Sequence, residues 1–151
     1  MCIRDRDKGD DLRIDPQRVL DTIQQENIRL FIFSNPCNPT SLGLDREAVH
    51  TIITGTDALI VVDEAYMDFW DQSLLQEADR YDNLIVLRTA SKALGLAALR
   101  LGFAVANPTL TAVLRAAKSP YNVNGITQAM AAVALRNRLY KDCLLYTSRC
   151  V

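Results

Sequence analysis

Apolar runs and amphipathic stretches alternate along this chain, and the alternation predicts a layered α/β fold. Four apolar or β-branched runs, at residues 28–33, 58–62, 84–87 and 101–106, predict strands. The run at 58–62, Ala-Leu-Ile-Val-Val, has no polar position, which is typical of a strand buried on both faces of a parallel sheet. Strands separated by helical stretches in this way predict a layered α/β sheet.

Helical patterns occupy the intervals between these strands. Asp45 predicts the N-cap of a helix that stops at Gly55. The pattern over 74–81 predicts a short helix, and Asn107 followed by proline predicts the start of a helix that continues through Lys118. A last helix is predicted beyond Pro120 with an apolar face. That face comprises Ile126, Ala129, Met130 and Val133.

Composition narrows the class of protein. The chain has 151 residues, of which 49% are hydrophobic, and its formal net charge is −1, which fits a globular domain and argues against a nucleic-acid-binding surface. No apolar stretch reaches the ~18 residues of a membrane span, and the first residues lack the apolar core of a signal peptide. We therefore expect a cytoplasmic protein with neither a membrane nor a nucleic-acid partner. His50, the only histidine, has no candidate metal ligand nearby in sequence, so no metal site is expected.

The two ends of the chain do not continue the periodicity of their neighbours. Residues 1–6 and 143–151 resemble read-through of a vector or adapter, and three of the four cysteines (Cys2, Cys143 and Cys150) lie in these segments. We interpret both segments as non-native ends. A natural terminus without regular structure is the alternative. The native portion is then expected over residues 7–142.

Polar residues follow three of the predicted strands, at 34–40, 63–66 and 88–92. Ligands of α/β sheets bind at the carboxyl ends of the strands, so these segments are candidates for one site. Their residue types suit pyridoxal phosphate (PLP), because a lysine can form a Schiff base with its aldehyde and a carboxylate can keep its ring nitrogen protonated. Hydroxyl groups and an arginine suit its phosphate. A mononucleotide-binding sheet is a further option, but no glycine-rich loop follows any strand.

Three ordered segments resemble the motifs of fold-type I PLP-dependent aminotransferases of class I and II. They are residues 35–40 (Asn-Pro-Cys-Asn-Pro-Thr), 62–66 (Val-Asp-Glu-Ala-Tyr) and 88–103, which begins Arg-Thr-Ala-Ser-Lys-Ala. That beginning, together with residues 120–124 (Pro-Tyr-Asn-Val-Asn), is similar to the histidinol-phosphate aminotransferase branch. The resemblance covers residues 10–140. It implies the fold of that family's large domain, an α/β fold with a three-layer, mostly parallel sheet, of which this chain is a fragment.

The resemblance also implies a role for each motif residue. Lys92 would be the Schiff-base lysine and proton carrier, and Asp63 would pair with the pyridinium nitrogen. Tyr66 and Asn38 would hydrogen-bond the phenolic oxygen of the cofactor. The residues that would hold its phosphate are Ser91, Arg100 and, as a weaker candidate, Thr89.

The activity implied by the resemblance is transamination by a homodimer. The branch implies histidinol phosphate as the amino donor and 2-oxoglutarate as the 2-oxo acid acceptor, in histidine biosynthesis. Two alternatives keep the same fold: a threonine-phosphate decarboxylase and an aromatic amino acid aminotransferase. A non-catalytic remnant of the fold is the alternative from another class.

The chain departs from the family pattern in two respects. Ser41 stands where the family often has glycine, so we expect a different loop path there. Family members are also about twice as long, with a large and a small domain. Residues 7–120 are therefore interpreted as part of the large domain, and 121–142 as a helix leading toward a missing small domain. We predict that the 151-residue chain cannot transaminate, and measured turnover by the purified chain would refute this.

Overall fold

The computed structural model describes residues 12–137, so the two suspected non-native ends lie outside the described residues. The helices and strands of this part are, in chain order, α1 (Pro16–Gln25), β1 (Leu30–Ser34), α2 (Arg46–Thr54), β2 (Leu59–Asp63), β3 (Leu84–Thr89), β4 (Gly102–Val105), α3 (Pro108–Ala117) and α4 (Gly125–Arg136). All four predicted strands are present, and each end lies within two residues of its predicted position.

The four strands form one sheet in the order β1-β2-β3-β4. β1 pairs with β2 and β2 with β3 in parallel, whereas β3 pairs with β4 in the antiparallel direction. Phe33, Val62, Val86 and Val105 lie side by side across the sheet. The predicted α/β fold with a mostly parallel sheet is confirmed.

The main core lies between one face of this sheet and the helices α1 and α2. Its buried side chains come from alternate strand positions and from one side of each helix: Val19, Ile23, Val49, Ile52, Ile53, Ile60, Val62, Leu84 and Val86. Burying a side chain of this size contributes about 1.5–3 kcal/mol. This packing fixes the positions of β1, β2 and β3, and therefore of the loops that follow them.

Side-chain caps define the starts of the predicted helices. The Asp45 carboxylate accepts a hydrogen bond from the Ala48 backbone N–H at 2.8 Å, and the Asn107 side chain accepts one from Leu110 N–H at 2.8 Å. A cap of this kind contributes about 1 kcal/mol to helix stability. Both helices begin where the sequence predicted. No helix within residues 12–137 has the length and apolar content that crossing a membrane requires.

The prediction of a helix over residues 74–81 is wrong. The segment contains a 3-10 helix at Ala78–Arg80 instead, with backbone bonds from Glu77 N to Leu74 O and from Arg80 N to Glu77 O. Leu74 and Ala78 are fully buried, which explains the apolar spacing that suggested an α-helix. Tight three-residue turns bury the same side chains without an α-helical ladder.

The last helix is confirmed as α4, but its apolar face points to solvent. Ile126, Met130 and Val133 are 75%, 51% and 69% exposed, whereas Thr127 and Ala131 on the other side are buried. Thr127 donates its hydroxyl to the backbone oxygen of Leu99 at 3.2 Å. Periodicity correctly identified the residues that share one face of the helix, but no other part of residues 12–137 buries that face.

Candidate functional site

The loops after β1, β2 and β3 leave one edge of the sheet side by side. The backbone N–H of Asn35 donates to Asp63 O at 2.9 Å, and that of Glu64 donates to Leu87 O at 2.9 Å. These bonds continue the parallel pairing by one residue beyond the strands. The three sequence motifs therefore meet at the carboxyl edge of the sheet, where ligands of such folds bind.

Tyr66 lies at the centre of this edge. Asn38 Nδ2, from the loop after β1, donates to the Tyr66 hydroxyl at 2.8 Å. Lys92 Nζ, from the loop after β3, lies 5.1 Å from the centroid of the Tyr66 ring, within the range of a cation–π contact. An amide, a phenol and an amine from three separate loops therefore lie within one small volume.

Asp63 is the last residue of β2 and is half-buried. Its Oδ1 accepts a hydrogen bond from the backbone N–H of Ala65 at 3.0 Å, which turns the chain toward Tyr66. This local bond fixes the carboxylate at the strand end, three residues before the phenol. The structure thus places a carboxylate, a phenol and a primary amine at the same edge.

The three phosphate candidates lie at the base of the loop after β3. Ala90 N donates to Leu101 O at 3.0 Å, which brings the adjoining residues Ser91 and Arg100 to the same end of the loop. Thr89 Oγ1 accepts from Ser91 N at 3.1 Å and donates to Leu101 O at 3.5 Å. Thr89 therefore already has partners in the loop, whereas Arg100 is exposed and donates to Ala97 O of its own loop.

The premise that a residue other than glycine at position 41 would avoid the left-handed conformation is wrong. Ser41 has φ 58°, the left-handed conformation that favours glycine. Its N–H donates to Cys37 O at 2.7 Å, and Cys37 N donates to Leu42 O at 2.8 Å. These bonds hold a serine in a conformation that costs about 1–2 kcal/mol for a residue with a Cβ.

The buried side chain of Asn35 stabilises the same loop after β1. The sequence analysis did not identify this role. Asn35 is 1% exposed, and its side chain donates to Leu44 O at 3.0 Å and accepts from Leu44 N at 2.8 Å. These two bonds close the loop that carries Asn38. An asparagine before a proline indicates only a turn, so the sequence offered no sharper signal.

A buried ionic cluster, also missed by the sequence reasoning, lies beside Tyr66. Glu64 is 0% exposed and its carboxylate pairs with Arg88 at 3.0 Å. Arg88 also pairs with Asp68 at 2.8 Å. Charged residues are rarely buried without a partner, so an arginine ending an apolar strand could have indicated such a pair.

A cavity of about 730 Å³ adjoins the site. Asn38 and Tyr66 line it together with Phe69 and Trp70, which are 41% and 38% exposed. Gly43 lies on its wall, where an added Cβ would clash with the Trp70 ring. The cavity provides room for a small molecule next to the Asn38–Tyr66 hydrogen bond.

Comparison with known proteins assigns the family. A family model described as aminotransferase class I and II matches residues 4–146. The chain belongs to this family. A histidinol-phosphate aminotransferase of Clostridium novyi is 42% identical over 132 residues, which cover 87% of this chain and 37% of that protein.

Solved aminotransferase structures share the fold. Histidinol-phosphate aminotransferase from Sinorhizobium meliloti, in complex with pyridoxal-5'-phosphate, matches with a TM-score of 0.83 and 27% identity over 91% of this chain and 39% of that one. L-threonine-O-3-phosphate decarboxylase from Porphyromonas gingivalis matches with a TM-score of 0.67 over 76% and 37% of the two chains. Its 24% identity shows a common fold alone. The chain spans less than half the length of each of these three proteins.

Proposed function

We propose that this chain forms part of the cofactor-binding domain of a PLP-dependent aminotransferase that uses histidinol phosphate as the amino donor. The observation that carries the proposal is the meeting of three loops at Tyr66. Asn38 donates to its hydroxyl at 2.8 Å, and Lys92 Nζ lies 5.1 Å from its ring centroid. Asp63 ends the strand from which Tyr66 follows.

The residues present fit the chemical groups of PLP. The Asn38 amide and Tyr66 hydroxyl can hydrogen-bond its phenolic oxygen, and the Asp63 carboxylate can bond its protonated ring nitrogen. Lys92 is exposed, so its amine can reach an aldehyde. Ser91 and Arg100 can hold the phosphate, and each charge-assisted bond from the guanidinium contributes about 1.5–3 kcal/mol.

Two residues carry the chemistry in this proposal. When bound, PLP supplies an electron sink for the negative charge that develops at the substrate Cα. Lys92 Nζ, as a free amine, would carry a proton between the substrate Cα and C4′ of the cofactor during the exchange of the amino group. The Asp63 carboxylate would bond the ring nitrogen and keep it protonated. Tyr66 and Asn38 would orient the ring through hydrogen bonds to its phenolic oxygen.

The substrates and the assembly belong to the whole protein and are part of the proposal. The relative at 42% identity supports histidinol phosphate, and the family resemblance supports 2-oxoglutarate as the acceptor and a homodimer. The composition of the chain supports a cytoplasmic location. The decarboxylase of similar fold supports no second function, because its identity is only 24%.

Borohydride trapping tests the cofactor site directly. The 151-residue chain is incubated with PLP, reduced with borohydride and digested, and the labelled peptides are mapped. Of its four lysines (Lys8, Lys92, Lys118 and Lys141), only Lys92 is expected to take a stoichiometric label. Lys118 is exposed and serves as an internal measure of nonspecific reaction. Equal labelling of Lys92 and Lys118 would contradict the proposal.

A further inference from the structure

We infer that Glu64 and Arg88 are positioning residues, which act through Asp63 and Tyr66 to set the geometry of the candidate cofactor site. The inference rests on the proposed function. It assigns a role to a buried ionic cluster that the proposed chemistry does not use.

The Glu64 carboxylate accepts hydrogen bonds from three different residues around the site. One oxygen of its carboxylate accepts from the backbone N–H of Leu74 at 2.8 Å. The other accepts from Ser73 Oγ at 2.6 Å and from Arg88 Nη1 at 3.0 Å. Because Glu64 is completely buried, each of these donors compensates for the loss of water around its charge.

Arg88 connects both ends of the short segment that contains Tyr66. Its Nη1 reaches Glu64, and its Nη2 lies 2.8 Å from Asp68 Oδ1. The Arg88 and Asp68 side chains are 15% and 12% exposed, so solvent screens this second pair only partly. A single guanidinium therefore fixes the residues two before and two after Tyr66.

Arg88 also connects the segment that contains Tyr66 to the strand that precedes Lys92. Arg88 belongs to β3, and Lys92 follows it four residues later in the loop that leaves β3. The Glu64–Arg88 pair thus joins the segment that contains Asp63 and Tyr66 to the strand that leads to Lys92. A misplacement of about 1 Å can lower catalytic efficiency about a hundredfold, so such a link affects function beyond stability.

The chemistry of the pair favours positioning over stabilisation. Burying two charges costs solvation energy that their attraction only partly offsets, and an apolar pair of similar volume often gives equal stability. A buried ion pair does fix the relative placement of two chain segments, because only one arrangement satisfies both charges. Here the two segments are those that carry the candidate cofactor residues.

Glu64→Gln tests the inference in the full 151-residue chain. Glutamine keeps the size of the side chain and removes the charge that faces Arg88. The matched control is Glu77→Gln, since Glu77 pairs with His50 at 3.1 Å and Arg46 at 3.8 Å on α2. The readouts are the Kd for PLP and the pH midpoint of the absorbance change of the lysine-bound cofactor. We expect Glu64→Gln to raise Kd about tenfold or more and to move the midpoint, and Glu77→Gln to change Kd less than about twofold.

Asp68→Asn provides a second variant if Glu64→Gln fails to fold, as judged by circular dichroism. It removes the more exposed arm of the cluster and leaves Glu64 paired with Arg88, so a smaller rise in Kd, about threefold, is expected. Folded variants with wild-type Kd and midpoint would overturn the inference, and so would a lowered Tm with both values unchanged. If wild-type Lys92 takes no label, the proposed function fails and the inference fails with it. A labelled wild type with unaffected variants overturns the inference alone.

Discussion

The loops after β2 and β3 leave the same sheet edge but are held in different ways. The β2 loop, residues 64–74, is tied by side chains: Glu64 accepts from Leu74 N at 2.8 Å and pairs with Arg88 at 3.0 Å. The β3 loop, residues 90–101, is closed by backbone bonds, from Ala90 N to Leu101 O at 3.0 Å and from Leu96 N to Ala90 O at 2.9 Å. Lys92 and Arg100, its charged residues, remain exposed.

This difference separates two tasks within one site. Groups that orient a ligand must be in place before it arrives, and buried charges and side-chain bonds keep the β2 loop in one arrangement. A lysine that bonds covalently and then carries a proton needs freedom to move, which exposure on the β3 loop allows. Substitution of Lys92 should therefore remove the chemistry, whereas substitutions in the β2 loop should weaken binding.

The largest effect is expected from Lys92→Ala. Because this amine is the proposed point of covalent attachment, its removal should abolish the borohydride-stable label in the β3 loop. Circular dichroism should stay unchanged, since the side chain is exposed. Lys118→Ala is the matched control, an exposed lysine at the end of α3, and should retain the full label. A Lys92→Ala protein labelled to the wild-type extent in the same peptide region would show that the site lies elsewhere.

Asp63→Asn should weaken binding without removing covalent attachment. Asparagine keeps an oxygen for the Ala65 N–H but loses the charge that would pair with the ring nitrogen. A hydrogen bond to a charged group contributes about 1.5–3 kcal/mol, so the Kd for PLP should rise about 10- to 100-fold. Absorbance titration measures this change.

Asp57→Asn is the control for that variant, because Asp57 is exposed before the opposite end of β2. Its Kd should match the wild type. Equal Kd values for all three proteins would remove Asp63 from the cofactor site.

Sequence patterns predicted the sheet because its signals are local. The apolar run at 58–62 and the cap residues Asp45 and Asn107 each specify structure within a few residues, and the structure has β2, α2 and α3 there. The motif order also placed Asn38, Tyr66 and Lys92 at one edge, since parallel strands align their carboxyl ends.

The features that sequence missed depend on contacts between distant residues. The Glu64–Arg88 pair joins residues 24 apart, and neither residue type alone indicates burial. The exposure of the apolar face of α4 could not be predicted for the same reason. Periodicity shows which residues share a helix face, but it does not show what packs against that face. Leu74 and Ala78 had the spacing of a helix, yet the Leu74 N–H donates to the Glu64 carboxylate across the site.

A smaller effect is expected from Gly95→Ala in the β3 loop. Gly95 has φ 63°, and a Cβ in that conformation costs about 1–2 kcal/mol. The reduced freedom of the unfolded chain offsets part of this, so the free energy of unfolding should fall by about 1 kcal/mol in urea titrations. Gly125→Ala is the control, because an added Cβ at this first residue of α4 meets nothing within 4 Å. Similar losses in both variants would show that backbone conformation does not hold the β3 loop.

Ser41→Gly should have the smallest effect and the opposite sign. Ser41 has φ 58° in the loop after β1, so it bears the strain that Gly95 avoids in the β3 loop. Glycine relieves about 1–2 kcal/mol of that strain but gains freedom in the unfolded chain, which leaves a net gain of about 0.5–1 kcal/mol in the free energy of unfolding. The Ser41 backbone N–H bond to Cys37 O is retained, because it does not involve the side chain.

Ser34→Gly separates this relief of strain from a general effect of glycine. Ser34 is also exposed but lies at the end of β1 in extended backbone, where glycine should lower stability by about 0.5–1 kcal/mol. The free energy of unfolding is measured by urea titration. If it rises in Ser41→Gly and falls in Ser34→Gly, residue 41 has a left-handed conformation that strains the serine. A loss in both would mean that the Ser41 side chain stabilises the loop more than its φ strains it. In that case the loop after β1, like the β2 loop, would be held in place by its side chains.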